Sequence, residues 1–253
     1  MSLWNRFRRK VRYSTNACRI YAIGDVHGCF PLLVRLLQNI EEDQRQRAPL
    51  ETHVVLLGDY IDRGPQSREV CELLHAMRDS SYFHCLMGNH EETMLKVLDG
   101  NRMALRFWLK YGGEETLLSW GLEPDLIARA YLSESGQWQL IEAFRERVSP
   151  DLAGWMRGLR SHHQHGGYLF VHAGVRPKCR LEEQSEEDMR WIREPFLSST
   201  AWHPWRVVHG HSQSESAEIL HNRIGIDTGA YRTGMLTAIG IEDDEAWEIV
   251  AAR

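Results

Sequence analysis

The chain has 253 residues, 43% hydrophobic and 26% charged, with 30 Lys and Arg against 35 Asp and Glu and a net charge of −5. That length supplies a core for one large domain, and the acidic balance gives no overall electrostatic case for nucleic acid. No apolar run approaches the ~18 residues of a membrane span, and the five cysteines (Cys18, Cys29, Cys71, Cys85, Cys179) contain no CxxC, which argues against a disulfide framework or a thiolate zinc site and for reduced thiols in a cytoplasmic protein.

Residues 1–16 read as a basic leader, with Trp4, Phe7 and Tyr13 among Arg6, Arg8, Arg9, Lys10 and Arg12. It lacks the apolar core of a secretory signal, and a solvated tail is favoured over a lipid-binding one because a short basic tail binds membranes weakly. Residues 17–253 are expected to form a single domain. The first strand is expected over Arg19 to Ile23, then a helix from Pro31 to about Glu42 with Leu32, Leu33, Leu36, Leu37 and Ile40 on one face. A strand over Thr52 to Leu57 precedes a helix from about Ser67 to Met77, and a strand over Tyr82 to Leu86 precedes a helix opening near Glu91. This βαβαβ order predicts parallel strands with functional loops at their carboxyl ends. About 104–160 reads as a helical segment broken at Gly112-Gly113, Gly121 and Pro150. Strands are expected again at Tyr168 to Val171, Val207 to His209, Ile224 to Ile226, Leu236 to Ile241 and Trp247 to Val250.

The strand exits carry the chemistry. They read Gly24-Asp25-Val26-His27-Gly28, Gly58-Asp59 with Asp62 and Arg63, Gly88-Asn89-His90-Glu91, His172-Ala173-Gly174 and His209-Gly210-His211. A single such exit is ordinarily a satisfied polar cap. Five in succession, each after an apolar run, point to one rim of carboxylate, amide and imidazole groups. That donor set suits Mn²⁺, Fe, Zn²⁺ or Mg²⁺ rather than a thiolate cluster.

GDVHG, GDYIDRG, GNHE, HAG and GH, in that order from about Ile20 to about Gly240, resemble the phosphoprotein phosphatase family of dinuclear metallophosphoesterases, in its bacterial and phage (lambda-type) branch. The resemblance implies the calcineurin-like α/β fold, a βαβαβ core with mixed sheets in a sandwich flanked by helices. It also implies two divalent metal ions, Mn²⁺ being the first expectation. Asp25, His27, Asp59, Asn89, His172 and His211 would hold them, with Asp59 bridging. His90 is implied as general acid, oriented by Asp62, with Arg63 and Asn89 at the substrate phosphate. Arg193 follows from Trp191-Ile192-Arg193-Glu194, against the bland reading of a surface ion pair.

Two divalent cations, two aspartates and a bridging hydroxide leave about +1 before the arginines are added, a net attraction for a phosphate dianion. The expected reaction is direct attack of that hydroxide on phosphoserine and phosphothreonine in proteins, with small phosphate esters as further substrates and no nucleic-acid or integral-membrane partner. A diadenosine tetraphosphatase is the alternative; in that group the first motif usually has glutamine where His27 stands. A silent binding protein on the same fold is the minor alternative.

Cys29 lacks the positive loop a cysteine nucleophile needs. His162, His163 and His165 read as a solvated loop, His209 as a packed neighbour of His211, and Asp227-Thr228-Gly229 as a structural turn bordered by Tyr231 at the cleft. Trp202 and Trp205 are expected to cover the core. Trp108, Tyr111, Leu117, Leu118 and Trp120 read as helix packing faces.

Overall fold

The computed structural model describes residues 13–253; residues 1–12 of the expected leader lie outside the described residues. Tyr13 packs on Tyr168, ring centroids 5.9 Å apart. No helix among the described residues is long and apolar enough to cross a membrane.

In the first half, β1 (Cys18–Ile23), β2 (Glu51–Leu56) and β3 (Phe83–Cys85) run parallel, joined by α1 (Phe30–Gln46) and α2 (Ser67–Ala76). Two further strands, β9 (Met235–Glu242) and β10 (Glu245–Ala252), extend the sheet antiparallel on the far side of β1, giving the order β10-β9-β1-β2-β3. The second sheet is β4-β5-β6-β8-β7, built from β4 (His162–His165), β5 (Tyr168–Val171), β6 (Arg206–His209), β7 (Glu218–Ile219) and β8 (Arg223–Gly225), with β5, β6 and β8 parallel.

Side chains alternate across a strand, so the fully buried β1 faces two cores at once. Ile20 and Ala22 join Val55, Leu57, Ile239 and Ile241 against Tyr168, Phe170, Val208 and Ile224 of the second sheet, which is the sandwich interior. Tyr21 and Ile23 face the other way, onto Leu33 and Leu36 of α1 and Val70 and Leu74 of α2. The same outer core receives the helical segment, α4 (Arg102–Lys110), α5 (Gly113–Ser119), α6 (Pro124–Leu132), α7 (Glu134–Arg147) and α8 (Pro150–Arg157), through Leu105, Trp108, Trp120, Leu140 and Phe144.

Several expectations are corrected. The helix α3 (Asn89–Leu98) opens at Asn89 rather than near Glu91, because the Glu91 carboxylate turns back to accept from Gly88 N at 3.0 Å. His162 to His165 form strand β4, not a solvated loop: the two glycines after it turn the chain into β5, and Gly166 adopts φ 54°. Trp205 is buried but Trp202 is 56% exposed. Trp108, Leu117 and Trp120 pack as expected, whereas Leu118 is exposed because consecutive helical positions point about 100° apart, and Tyr111 is exposed because it stands past the end of α4.

Candidate active site

Carboxyl ends of parallel strands from both sheets meet at one rim, the position where α/β sheets bind ligands. Asp25 and His27 leave β1, Asp59 leaves β2, Asn89 and His90 open α3 after β3, His172 leaves β5 and His211 leaves β6. All but His211 are buried.

Asp59 lies at the centre. Its Oδ2 is 3.6 Å from His27 Nε2 and 3.7 Å from His90 Nε2, and its Oδ1 is 3.3 Å from His172 Nε2. Two sets of ligand atoms, from His27, Asp59 and His90 and from Asp59, His172 and His211, each lie within 4.8 Å of one another. Asp59 belongs to both, as a bridging ligand must. Asn89 Oδ1 is 2.9 Å from His172 Nε2. Asp25 stands one step back, where its carboxylate accepts from His211 N at 3.1 Å and lies beside Asp227.

The approach is close because glycine has no Cβ. A methyl group at Gly88 would run into the Asp59 carboxylate, and one at Gly210 into that of Asp25. Left-handed backbone at His27 (φ 43°), Asp59 (φ 53°), Asp62 (φ 76°), Arg63 (φ 67°) and His211 (φ 60°) aims these side chains into the rim, a concentration of non-glycine strain typical of functional sites. Glu91 holds the strained loop: its buried carboxylate accepts from Asp59 N at 2.9 Å and Tyr60 N at 2.8 Å. Burial, then the charge of Asp59, pushes Glu91 up to about 7.

Electrostatics show what the residues lack. Burial, then Asp227 and Asp59, raises Asp25 well above the carboxylate range, while burial raises Asp227 as well, the Asp59 charge adding to it and the hydrogen bond from Gly229 N opposing it. Three carboxylates buried together are costly without a cation. The imidazoles are set to receive one. His27 Nδ1 donates to Ile61 O at 2.7 Å and Arg63 Nη1 donates to its Nε2, so that nitrogen keeps its lone pair. His172 Nδ1 donates to Leu57 O at 2.9 Å while its Nε2 faces the acceptors Asn89 Oδ1 and Asp59 Oδ1, and although burial opposes the charge, Asp59 raises that ring, so a cation there would take the place of a proton. His211 Nε2 is buried with no hydrogen-bond partner, and burial, then His172, depresses that ring to about 3. Oxygen and imidazole donors around an uncompensated negative centre fit hard or borderline divalent ions.

His90 is tied through Nδ1 to the Asp62 carboxylate. Burial opposes its charge, but Asp59 and then Asp62 push it up to about 9. Asp62 is itself gripped from the helical segment: Trp108 Nε1 donates to its Oδ2 at 2.8 Å and Thr116 Oγ1 to its Oδ1 at 2.5 Å. Arg63 reaches in from the rim, Nη1 2.7 Å from His27 Nε2 and Nη2 3.2 Å from His90 Nε2, with its guanidinium 4.9 Å from the Tyr231 ring centre. A cation on His27 Nε2 would displace the first of these contacts. Arg193 is exposed and close enough to His211 to help lower that ring.

A family model for the calcineurin-like phosphoesterases matches residues 18–232. The chain belongs to the calcineurin-like phosphoesterase family. It is therefore a metal-dependent phosphoester hydrolase by family, with the α/β fold of two mixed sheets and helices. A relative in Salmonella typhimurium named serine/threonine-protein phosphatase 1 is 27% identical over 231 residues, 88% of this chain and 92% of the relative. Another in Halalkalibacterium halodurans, named as an asymmetrical bis(5'-nucleosyl)-tetraphosphatase, is 24% identical over 241 residues, 88% of this chain and 90% of the relative. The crystal structure of a candidate diadenosine tetraphosphatase superposes with a TM-score of 0.64 at 19% identity, covering 94% of this chain and 96% of that one.

Nothing in the sequence points to Thr116 in this site; Trp108 reads there only as a packing face and Asp227 only as a turn, and Glu91 stands within GNHE without a role. Trp108 has a local signal, since a buried indole N–H ordinarily needs an acceptor.

Proposed function

We propose that this metallophosphoesterase hydrolyses phosphoserine and phosphothreonine monoesters in proteins, as a member of the bacterial and phage branch. The observation that supports the reading is the anchored His90–Asp62 pair: an alkoxide is a poor leaving group and needs a positioned acid, whereas a nucleotide phosphate leaves with little protonation. In this reading Asp25, His27, Asp59, Asn89, His172 and His211 hold two divalent ions, Mn²⁺ first, with Fe, Zn²⁺ or Mg²⁺ compatible with the donor set. Bound there, such ions stabilise charge on phosphoryl oxygens and make water available as a nucleophile near neutral pH. Arg63 and Arg193 bind phosphate oxygens with Asn89, the planar guanidinium matching them in pairs. His90 Nε2 gives its proton to the departing alkoxide while Asp62 keeps Nδ1 protonated and the ring aimed.

A dinucleotide substrate is the second reading, favoured by exposed aromatics. Phe107 lies 4.4 Å from Tyr111 and 5.9 Å from Trp191, ring centre to ring centre. Tyr111 precedes Gly112, whose carbonyl holds Arg63 N at 3.0 Å, so a base could stack beside the phosphate site. Phosphate release from phosphoserine, phosphothreonine and phosphotyrosine peptides and hydrolysis of diadenosine tetraphosphate, each with Mn²⁺ and with a chelator, test the two. Preference for the first two peptides sustains the proposal; preference for the dinucleotide replaces it, and no turnover with any metal leaves a binding protein.

A further inference from the structure

A second group of ligand atoms lies at the other end of the strands. Cys18 opens β1 while Asp25 follows its end, and His53 sits midway along β2. Cys18, His53 and His165 bring ligand atoms within 4.8 Å of one another, and the rings of His53 and His165 are 4.8 Å apart. The residues come from both sheets: β1 and β2 of one, β4 of the other.

Their hydrogen bonds fix which nitrogens are free. His165 Nε2 lies 3.1 Å from Thr15 O, so Nε2 carries the proton and Nδ1 the lone pair. His53 Nε2 lies 3.2 Å from Glu51 Oε1; with the carboxylate accepting that proton, Nδ1 again keeps its lone pair. A carboxylate or backbone carbonyl on the far nitrogen is the usual support of a metal-bound imidazole. His84 Nε2 is 3.1 Å from His53 Nδ1 and is therefore the donor of that hydrogen bond; with its proton moved to Nδ1, His84 Nε2 would become a fourth ligand. His163 stacks on His84 at 4.0 Å, and its Nε2 is buried without a hydrogen-bond partner.

We propose that Cys18, His53 and His165, with His84 beside them, form a metal site separate from the phosphoesterase centre, which takes a zinc-type divalent cation and staples the two sheets. One thiolate with two or three imidazoles selects borderline ions such as Zn²⁺ and Co²⁺ over the Mn²⁺ suited to an oxygen-rich site. Tetrahedral zinc at bond lengths of 2.0–2.3 Å needs donors about 3.3–3.6 Å apart, so these must draw in by about 1 Å. Burial, then Glu51, pushes the Cys18 thiol up. Binding therefore breaks the S–H bond, forms a metal–sulfur bond and releases one proton to solvent.

Cobalt titration of the full chain tests the site, because a thiolate-to-cobalt charge-transfer band in the near ultraviolet cannot arise from the cysteine-free set of Asp, Asn and His at the other centre. The band is expected to saturate at one Co²⁺ per chain, to be quenched by Zn²⁺, and to persist in Cys29→Ser, whose thiol is the one beside His27. Cys18→Ser is expected to abolish it. His165→Gln should weaken Zn²⁺ binding by at least the roughly 10–100-fold that losing an outer partner costs, with Mn²⁺-supported turnover unchanged. Absence of the band in the unaltered chain, or its survival in Cys18→Ser, overturns the proposal. The readout is independent of phosphatase activity.

Discussion

In the proposed reading Asp59 and His90 divide the work of the rim. Asp59 touches three imidazoles through its two oxygens, and burial, although it opposes the charge, is outweighed by His172 and His90, which hold its carboxyl well below the usual range. In Asp59→Asn both proposed metal positions lose their shared anionic ligand, so metal content by elemental analysis should fall to near zero and turnover with it. Retention of two metals at a normal rate would remove Asp59 from the bridge. His90 reaches the same carboxylate but spends Nδ1 on Asp62. His90→Asn should leave metal content intact and lower turnover by about 100-fold or more on alkyl phosphates, with a smaller loss on aryl phosphates, whose leaving groups need little protonation. Equal losses on both would count against proton donation.

At the scale of elements, the βαβαβ half delivers the rim and the helical segment stiffens it. Asp62 sits in left-handed backbone at φ 76° with its N–H held by Ser67 Oγ and Thr116 Oγ1, both at 2.9 Å. Side chains from α4 and α5 therefore decide where the proposed acid pair points. Trp108→Phe keeps the ring packed near Phe144, 5.4 Å away, and deletes only the donor to Asp62. A hydrogen bond to a charged group contributes about 1.5–3 kcal/mol, so turnover on a phosphoserine peptide should fall by about tenfold or more if that support is expressed in the transition state. KM and metal content should be unchanged; a lower metal content would mean that Trp108 supports the metal ligands instead.

The whole molecule concentrates buried negative charge where the two sheets meet: Asp25, Asp59 and Asp227 lie within one another's fields. Cations bound there stabilise the folded chain by mass action, by about 2.7 kcal/mol at a hundred times the dissociation constant, a shift of roughly 5–10 °C for a chain of this size. Chelation should lower the melting temperature by that order and Mn²⁺ should restore it. An unchanged melting curve would mean that the carboxylates are compensated without metal.

Motif order made much of this legible in advance. GDVHG, GDYIDRG and GNHE each follow an apolar run, and local rules sufficed to put them at strand exits and so at one rim. Other features had no local signature. Trp108 and Thr116 stand 46 and 54 residues from Asp62, and His165 pairs with β5 on an edge that its own HHQH tract gave no reason to expect. The chain by itself determined the donor types, their order and the βαβαβ half, because period and glycine placement act over a few residues. Only the tertiary structure decided that Asp62 is locked by the helical segment, that Asp227 joins Asp25, and that Cys18, His53 and His165 converge. Those contacts join segments far apart in sequence, and packing of two sheets, rather than any local preference, closes the distance.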